Sequence, residues 1–168
     1  MQNKLKQILL FIFLSGIWNI AFSQEKEILK ILNRELKKEV KNQFKSSNFN
    51  GDTIRIVEGF SIDTHKNLSF QIKKTSPYFT GYQTIKQKVS LAKILKVGKD
   101  IQIILETEKD AVTTEYLSSD GDLREETIKG SLFFLYLSNE KQNDDLGIEL
   151  QEAFQKAGFQ VSKDYWYD

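Results

Sequence analysis

The sequence predicts an α+β fold, on the strength of three observations. Apolar residues recur with the 3.6-residue period of a helix near each end of the chain, and segments with a period of 2 lie between them. These middle segments are short and separated by turn-forming residues, which is typical of an antiparallel meander. We therefore expect an N-terminal helix, about six or seven strands forming a curved sheet or open barrel, and a C-terminal helix packed on the sheet.

The stretch from Ser131 to Gly158 organises this prediction. It opens with the uncharged run Ser131–Ser138, which is typical of a strand that is apolar on both faces and therefore central or covered on both sides. A helix is predicted from about Asp144 to Ala157, and its single apolar stripe requires a sheet to pack on. The side chains that we expect in the core of this unit are Leu132, Phe134, Leu150 and Phe154.

The N-terminal helix is predicted from Glu25 to Phe44. Its apolar stripe has spacings of three and four and must be buried somewhere in the fold. The residues of this stripe are Leu29, Leu32, Leu36, Val40 and Phe44, broadened by Ile28 and Ile31. Turn-forming residues end the helix after Phe44.

Strands are predicted from Ile54 onward, where the period changes from 3.6 to 2. The first two strands, Ile54 to Ile62 and Leu68 to Lys73, form a hairpin around a polar turn. An aromatic loop at 76–81 leads to a third strand that contains Ile85, Val89 and Leu91. After a short break around Gly98, two further strands lie at 101–105 and 112–117, and a charged segment ending at 130 leads into the apolar run.

The order of these elements resembles the pleckstrin-homology-like fold. The resemblance covers about residues 54–157 and rests on apolar positions in Val89 to Ile94, Ile101 to Leu105, and Leu132 to Leu137. It implies architecture only, because the N-terminal helix is an addition and the turn at 63–67 lacks the run of basic residues with which phosphoinositide-binding members hold phosphates. The same elements also fit a cystatin-like sheet wrapped on a helix, in which the N-terminal helix would be central.

Residues 1–23 have the three parts of a secretory signal peptide. Lys4 and Lys6 form a basic start, Ile8 to Leu14 is a continuous apolar run, and Ala21-Phe22-Ser23 places small residues before a cleavage site. The apolar run is well below the ~20 residues that a membrane-spanning helix needs. We therefore expect cleavage after Ser23 and no membrane span in the mature chain.

Residues 24–168 are predicted to form a single domain. Of the 24 basic residues in the chain, 22 remain after loss of Lys4 and Lys6, against 23 acidic residues. This balance disfavours nucleic-acid binding and a membrane-binding face. The chain has no cysteine, which excludes disulfides and a thiol active site. An exported protein without disulfides fits a bacterial periplasm or exterior, so we expect a periplasmic or secreted bacterial protein.

The sequence contains no motif for catalysis or cofactor binding. The only histidine, His65, lies in a predicted turn, and no G-x-S-x-G elbow is present. A single histidine without cysteine disfavours zinc, and the acidic cluster around Asp120 and Asp122 lacks the spacing of a calcium loop. We therefore predict no catalytic residue, no metal site and no cofactor. Carboxylate pairs that hydrolyse glycosides meet only in space, so that chemistry stays open.

Two aromatic clusters are the candidate binding residues. One lies on or beside the loop after the second strand, and the other lies near the C-terminus. Their members are Tyr78, Phe79 and Tyr82 in the first and Tyr165, Trp166 and Tyr167 in the second. Exposed aromatic rings stack on sugars or anchor a protein partner, whereas rings that fold back complete a core or cover an edge.

The lack of catalytic motifs favours an exported, non-enzymatic binding or interaction domain with an unknown protein or glycan partner. The first alternative is a hydrolase that uses carboxylates alone on cell-wall or glycan substrates, which requires two acids about 5–10 Å apart in a deep cleft. The second alternative is an envelope structural or inhibitor-like protein, which requires neither a cleft nor an exposed aromatic patch.

Overall fold

The computed structural model describes residues 25–45, 49–119, 123–138 and 140–167. The predicted signal peptide at 1–23 and the acidic pair Asp120 and Asp122 lie outside these residues. The described chain has the predicted α+β class, with a helix near each end and nine strands in two sheets. Neither sheet closes into a barrel within the described residues.

Helix α1 occupies residues 25–42 and is followed by a 3-10 turn at Gln43–Lys45. The strands are β1 (Thr53–Ile62), β2 (Asn67–Ser76), β3 (Phe79–Ser90), β4 (Ile94–Lys99), β5 (Ile103–Thr107), β6 (Val112–Ser119), β7 (Leu123–Gly130), β8 (Leu132–Phe134) and β9 (Ser162–Trp166). A second 3-10 turn, Leu91–Lys93, separates β3 from β4, and helix α2 is Asp144–Lys156.

The strands form one sheet of five and one of four. The larger sheet has the order β1-β2-β3-β6-β7, and all of its pairs are antiparallel. The smaller sheet has the order β8-β5-β4-β9, in which β9 runs parallel to β4. A single cluster of buried apolar side chains combines residues of both sheets and both helices. The two sheets and the helices therefore share one core.

Helix α1 buries the centre of its predicted stripe. Ile28, Ile31, Leu32 and Leu36 are each at most 1% exposed, because spacings of three and four place them on one side of the helix. Phe44, which the sequence places on the same stripe, is 66% exposed in the 3-10 turn. Because α1 ends before Phe44 and the chain continues as a 3-10 turn, the Phe44 ring does not lie on the buried side of the helix.

Side chains of α1 and of the 3-10 turn that follows it also bind the backbone of β1, an edge strand of the larger sheet. The Asn33 amide donates to the Phe60 carbonyl at 2.9 Å, and its Oδ1 accepts from the Phe60 N–H at 2.9 Å. Gln43 makes the same double contact with Ile54, at 2.8 Å to the N–H and 3.3 Å to the carbonyl. Gly59 permits this close approach, because a Cβ there would lie 2.6 Å from Asn33 Oδ1.

The apolar run at 131–138 differs from its prediction as a two-sided core strand. Only Leu132–Phe134 form a strand, and β8 lies at the edge of the smaller sheet. Leu132 is 41% exposed and Phe134 is half-buried, whereas Phe133 is fully buried. The expectation that Leu132 and Phe134 lie in the core is therefore wrong. Only the face of β8 that carries Phe133 is buried, and Leu132 and Phe134 lie on the other face. Leu150 and Phe154 of α2 are buried as predicted.

The charged segment before that run is a full strand rather than a connection. β7 pairs with β6 at eight consecutive positions, from Leu123 opposite Ser119 to Gly130 opposite Val112, without any shift of register. Residues 124–129 are exposed at every position, so neither face of this strand is covered. Without a buried face there is no apolar alternation that identifies it in the sequence.

Candidate ligand-binding cleft

The hairpin between β2 and β3 presents the first predicted aromatic cluster. Tyr78 lies at its tip and is 80% exposed, while Phe79 begins β3 and is half-buried. Further along β3, the Tyr82 ring is covered by the Lys73 ammonium, 3.7 Å from the ring centroid. These three aromatic residues line neither of the two clefts described below. Of the cluster, only Tyr78 presents most of its ring to solvent.

Two of the C-terminal aromatic residues are held by the body of the protein. The Tyr165 hydroxyl donates to Glu106 at 2.9 Å, and burial, with this hydrogen bond, raises the pKa of Tyr165 to about 12. The Trp166 indole N–H donates to Asn143 at 3.1 Å, and its ring fits against Gly147, where a Cβ would lie 2.6 Å from it. Both rings therefore serve to fasten β9.

Tyr167 is the member of this cluster that remains open. Its backbone N–H donates to the Lys99 carbonyl at 2.9 Å, which extends the pairing of β9 with β4 by one residue. Its ring stacks on Tyr165 with centroids 5.5 Å apart and planes inclined by 16°. The side chain is nevertheless 63% exposed. Tyr167 is thus a ring supported from one side and accessible from the other.

Tyr167 lines a cleft of about 520 Å³ between the C-terminal end of α1, the start of β1 and the loop that joins β4 to β5. Its other apolar walls include Phe49, Ile101 and Tyr136. Ile101 is 82% exposed and Phe49 is 41% exposed, so both present apolar surface at the cleft. Such a mixture of aromatic walls and open volume is typical of small-ligand sites.

Polar groups lie among these apolar walls. Asp52 is paired with Lys74 at 2.7 Å. Partial burial opposes ionisation of Asp52, but its hydrogen bonds with Lys74 and Ser76 lower its pKa overall. Asp100 and Lys141 line the same cleft and form no ion pair within the described chain. The cleft therefore offers one ion pair together with three further charged side chains, those of Glu39, Asp100 and Lys141.

Tyr136 has an unusual backbone conformation at this cleft. Its φ is +55°, in the left-handed region that bulky residues rarely adopt. The Gln102 side-chain oxygen accepts the Tyr136 N–H at 3.0 Å and holds the peptide in place. Burial raises the pKa of Tyr136 well above its ordinary value. The turn ends the extended run after β8 and brings the Tyr136 ring to the cleft.

A second, smaller cleft of about 250 Å³ lies beside α1 and α2. It is lined by charged residues of α1, among them Glu35 and Lys38, which are paired with each other at 3.0 Å. Nearby, Arg34 of α1 donates to Glu149 of α2 at 2.9 Å, and this contact lowers the pKa of Glu149. The Arg34–Glu149 pair joins the two helices, and the residues that line the smaller cleft include no aromatic side chain.

The described residues provide little support for acid–base or metal chemistry. His65 is exposed in the β1–β2 turn, where its backbone N–H donates to Asp63 at 2.9 Å. Among the described residues, four carboxyl groups have shifted pKa values and all four values are lowered, whereas a general acid needs a raised pKa. These groups are Asp52, Asp63, Glu149 and Asp164. Among the described residues, no group of three potential ligands is arranged to hold a metal ion.

In the part of the chain that the structure describes, no helix has the length and apolar character needed to cross a membrane.

The chain matches no protein-family model, no curated protein and no solved structure. The resemblance to the pleckstrin-homology-like fold therefore stays a prediction.

The cleft unites one predicted binding residue with three that the sequence did not indicate. Tyr167 was expected from the C-terminal cluster, whereas Phe49, Ile101 and Tyr136 come from three separate loops. Each of the three looks like an ordinary core or loop residue in sequence. The high exposure of Ile101 is visible only in the structure. In sequence, its position next to β5 suggests a buried strand residue.

Proposed function

We propose that this chain is an exported, non-enzymatic binding domain whose cleft at Tyr167 takes a glycan. The observation that carries this proposal is the Tyr167 ring, which is supported by Tyr165 on one face and borders a cleft that contains Asp100 and Gln102. A sugar ring presents C–H groups to an aromatic face and hydroxyls to carboxylates and amides. The cleft offers both kinds of contact side by side.

A glycan fits this site better than a protein surface does. Protein partners usually anchor large apolar side chains in dry pockets, with charge excluded from the centre of the interface. The cleft instead carries Asp52, Lys74, Asp100 and Lys141 among its aromatic walls. Ligand hydroxyls could satisfy these charges without removing them fully from water. The mixed polarity therefore favours a hydroxylated ligand.

Soluble oligosaccharides test this proposal directly. We expect chitotriose or cellotriose to bind the purified protein in isothermal titration calorimetry and to shift amide resonances around 100–102 and 167. Tyr167→Ala should weaken binding about tenfold or more, since ring stacking of ~1.4 kcal/mol corresponds to that factor. Tyr78→Ala, which removes a more exposed tyrosine outside the cleft, is the matched control and should bind like the original protein.

Absence of binding at millimolar sugar, or equal loss in both tyrosine variants, would contradict the proposal. If the protein binds a peptide in a way that depends on Tyr167, the cleft is still a binding site, but its ligand is a peptide rather than a glycan. If nothing binds and Tyr167→Ala alters only stability, the envelope structural or inhibitor-like alternative is favoured.

The carboxylate-only hydrolase is a second candidate, because Glu39, Asp52 and Asp100 line the same cleft. The pairing of Asp52 with Lys74 and its lowered pKa disfavour it as the acid of such a pair. Release of reducing ends from cell-wall glycans, lost in Asp100→Asn, would favour this candidate over simple binding.

The export part of the proposal rests on residues 1–23. Sequencing of the N-terminus of protein recovered from the periplasm or medium should give Gln24 as the first residue. Retention of the full chain in the cytoplasm would contradict export without affecting the proposal for the cleft.

A further inference from the structure

The outer edge of β7 is the most regular open edge of the larger sheet. Its other side pairs with β6 at eight consecutive positions without a bulge. No described strand pairs with its outer side, since β7 is the last strand in the sheet order. An edge strand of this kind presents a row of free backbone N–H and carbonyl groups that fits another strand.

The charged side chains of β7 form no hydrogen bond or ion pair within the described chain. Residues 124–129 are exposed on both faces, and the four charged ones make no hydrogen bond or ion pair with the described residues. These four are Arg124, Glu125, Glu126 and Lys129. Ion pairs are frequent elsewhere in the structure, for example between Lys96 and Asp164 at 2.6 Å. The charges of β7 are therefore available to an incoming strand.

We propose that two copies of this chain pair through β7, antiparallel and about a two-fold axis that passes at Thr127. In this register Thr127 lies opposite the partner's Thr127, and Glu125 lies opposite the partner's Lys129. The symmetry repeats the second contact, so two oppositely charged pairs form on one face of the joined sheet. Cross-strand pairs of opposite charge and paired threonines both stabilise antiparallel sheets.

The charge order of β7 selects this register over the neighbouring ones. A two-fold axis at Glu126 would place two like carboxylates directly opposite each other, which is destabilising. An axis at Ile128 would leave Glu125 beyond the paired segment, opposite the partner's Ser131. Charges on an edge ordinarily discourage pairing with an arbitrary strand. Here the order of the charges along β7 favours one partner, a second copy of the same strand.

The opposite edge of the sheet explains why such an assembly stops at two copies. β1 is contacted by Asn33 of α1 and by Gln43 of the 3-10 turn after it, and it has two register irregularities along its pairing with β2. Joining two β7 strands gives one continuous sheet of ten strands, both of whose outer edges are β1. Because those edges are occupied or irregular, the pairing closes as an isologous dimer rather than a filament.

Sedimentation equilibrium on the purified protein tests this proposal. A strand pair buries less than the ~1,200 Å² of a standard stable interface, so we expect a dimer that forms with rising protein concentration. Glu125→Lys alone and Lys129→Glu alone should each weaken the dimer about tenfold or more, because each turns two attractive pairs into repulsive ones.

Two combinations of these substitutions separate the proposal from a general loss of folding. The double variant Glu125→Lys/Lys129→Glu restores opposite charges in the same register and should dimerise like the original protein. An equimolar mixture of the two single variants should also dimerise, because each variant then carries the charge that the other needs. Glu115→Lys, on the adjacent strand β6, is the control and should have a smaller effect.

The proposal is overturned if the original protein remains monomeric at millimolar concentration, or if it dimerises and neither single substitution weakens the dimer. It is also overturned if the mixture of single variants stays monomeric while each variant retains its circular dichroism spectrum. This assembly does not depend on the proposed glycan site, and Tyr167→Ala should leave it unchanged.

Discussion

The two edges of the larger sheet, β1 and β7, differ in whether side chains from elsewhere in the chain form hydrogen bonds with their outward backbone groups. At β1, Asn33 and Gln43 each bind both the N–H and the carbonyl of one strand residue, Phe60 and Ile54 respectively. At β7, no described strand pairs with the outer side. One edge is contacted by side chains of α1 and of the turn after it, and the other is a regular strand whose charged side chains form no ion pair within the described chain.

This difference assigns α1 a role beyond packing. A helix that only covered the core would need its apolar side alone, yet Asn33 of α1 and Gln43 of the 3-10 turn that follows each place an amide side chain against β1. Each amide supplies one donor and one acceptor, as a backbone peptide does. It therefore makes the two hydrogen bonds that a neighbouring strand would otherwise make with one residue of β1. Helix α1 therefore completes the sheet as well as the core.

Asn33→Ala should have the largest effect on stability. It leaves the N–H and the carbonyl of Phe60, whose side chain is 4% exposed, without their protein partners. We expect the free energy of unfolding to fall by about 2–3 kcal/mol, measured by urea denaturation. The control is Asn42→Ala on the same helix, because Asn42 makes no hydrogen bond in the described structure. A similar loss in both variants would show that the amide contact with β1 is unimportant.

Gly59→Ala should have the next largest effect, about 1–2 kcal/mol. The added Cβ would lie 2.6 Å from Asn33 Oδ1 and displace that oxygen from the Phe60 N–H. In the Asn33→Ala background the same substitution should cost much less, because the oxygen is gone; a double-mutant cycle measures this coupling. Gly130→Ala in β7 is the control, since nothing lies within 4 Å of a Cβ there. Additive effects in the cycle would contradict the close contact between α1 and β1.

Asp63→Asn should reduce stability less than either change, and in a pH-dependent way. The Asp63 carboxylate accepts hydrogen bonds from Asn67 and the His65 N–H in the β1–β2 turn, and the Asn67 side chain is the main cause of its strongly lowered pKa. A carboxyl group with a lowered folded-state pKa stabilises the fold above its unfolded pKa of about 3.9, and this contribution is lost as the pH falls further. The two proteins should therefore differ in unfolding free energy at pH 7 and converge as the pH falls below about 4. A constant difference across this range would contradict the prediction.

Glu125→Lys in β7 should have the smallest effect on the folded monomer, within about 0.5 kcal/mol. Its side chain is exposed and has no partner in the described chain. Urea denaturation at low protein concentration, where the proposed dimer is absent, measures this value. A loss of more than 1 kcal/mol there would mean that β7 is already engaged within the monomer.

Much of the fold could be predicted from the periodicity of apolar residues. The sequence-based predictions were wrong where that periodicity is absent or ambiguous. Both helices and β2 have one buried face and were predictable. β7 has no buried face, and its charges resemble a connection. The expected break around Gly98 instead belongs to β4, where the missing side chain makes room for the Tyr165 ring, 3.1 Å from a Cβ placed there. A glycine that accommodates a distant ring cannot be told from a turn glycine in one sequence.

The candidate cleft was predictable only in part, for a spatial reason. The C-terminal aromatic cluster stood out by composition, but the sequence does not reveal that Tyr165 and Trp166 fasten β9 while Tyr167 stays open. That division depends on Glu106, Asn143 and Gly147, which are far from the cluster in the chain. Phe49 and Ile101 reach the cleft because loops place them there, and loop positions carry no periodicity.

The parallel pairing of β4 with β9 has a consequence for the order of folding. Lys96 lies opposite Ser162, so this contact encloses β5 to β8 and all of α2 within one long loop. Closing so long a loop costs chain entropy before any contact is gained, which makes it a late event compared with the local hairpins. Until it occurs, β4 has one free side and neither Tyr165 nor Tyr167 is in position. The aromatic wall of the cleft is thus assembled only as the protein completes its folding.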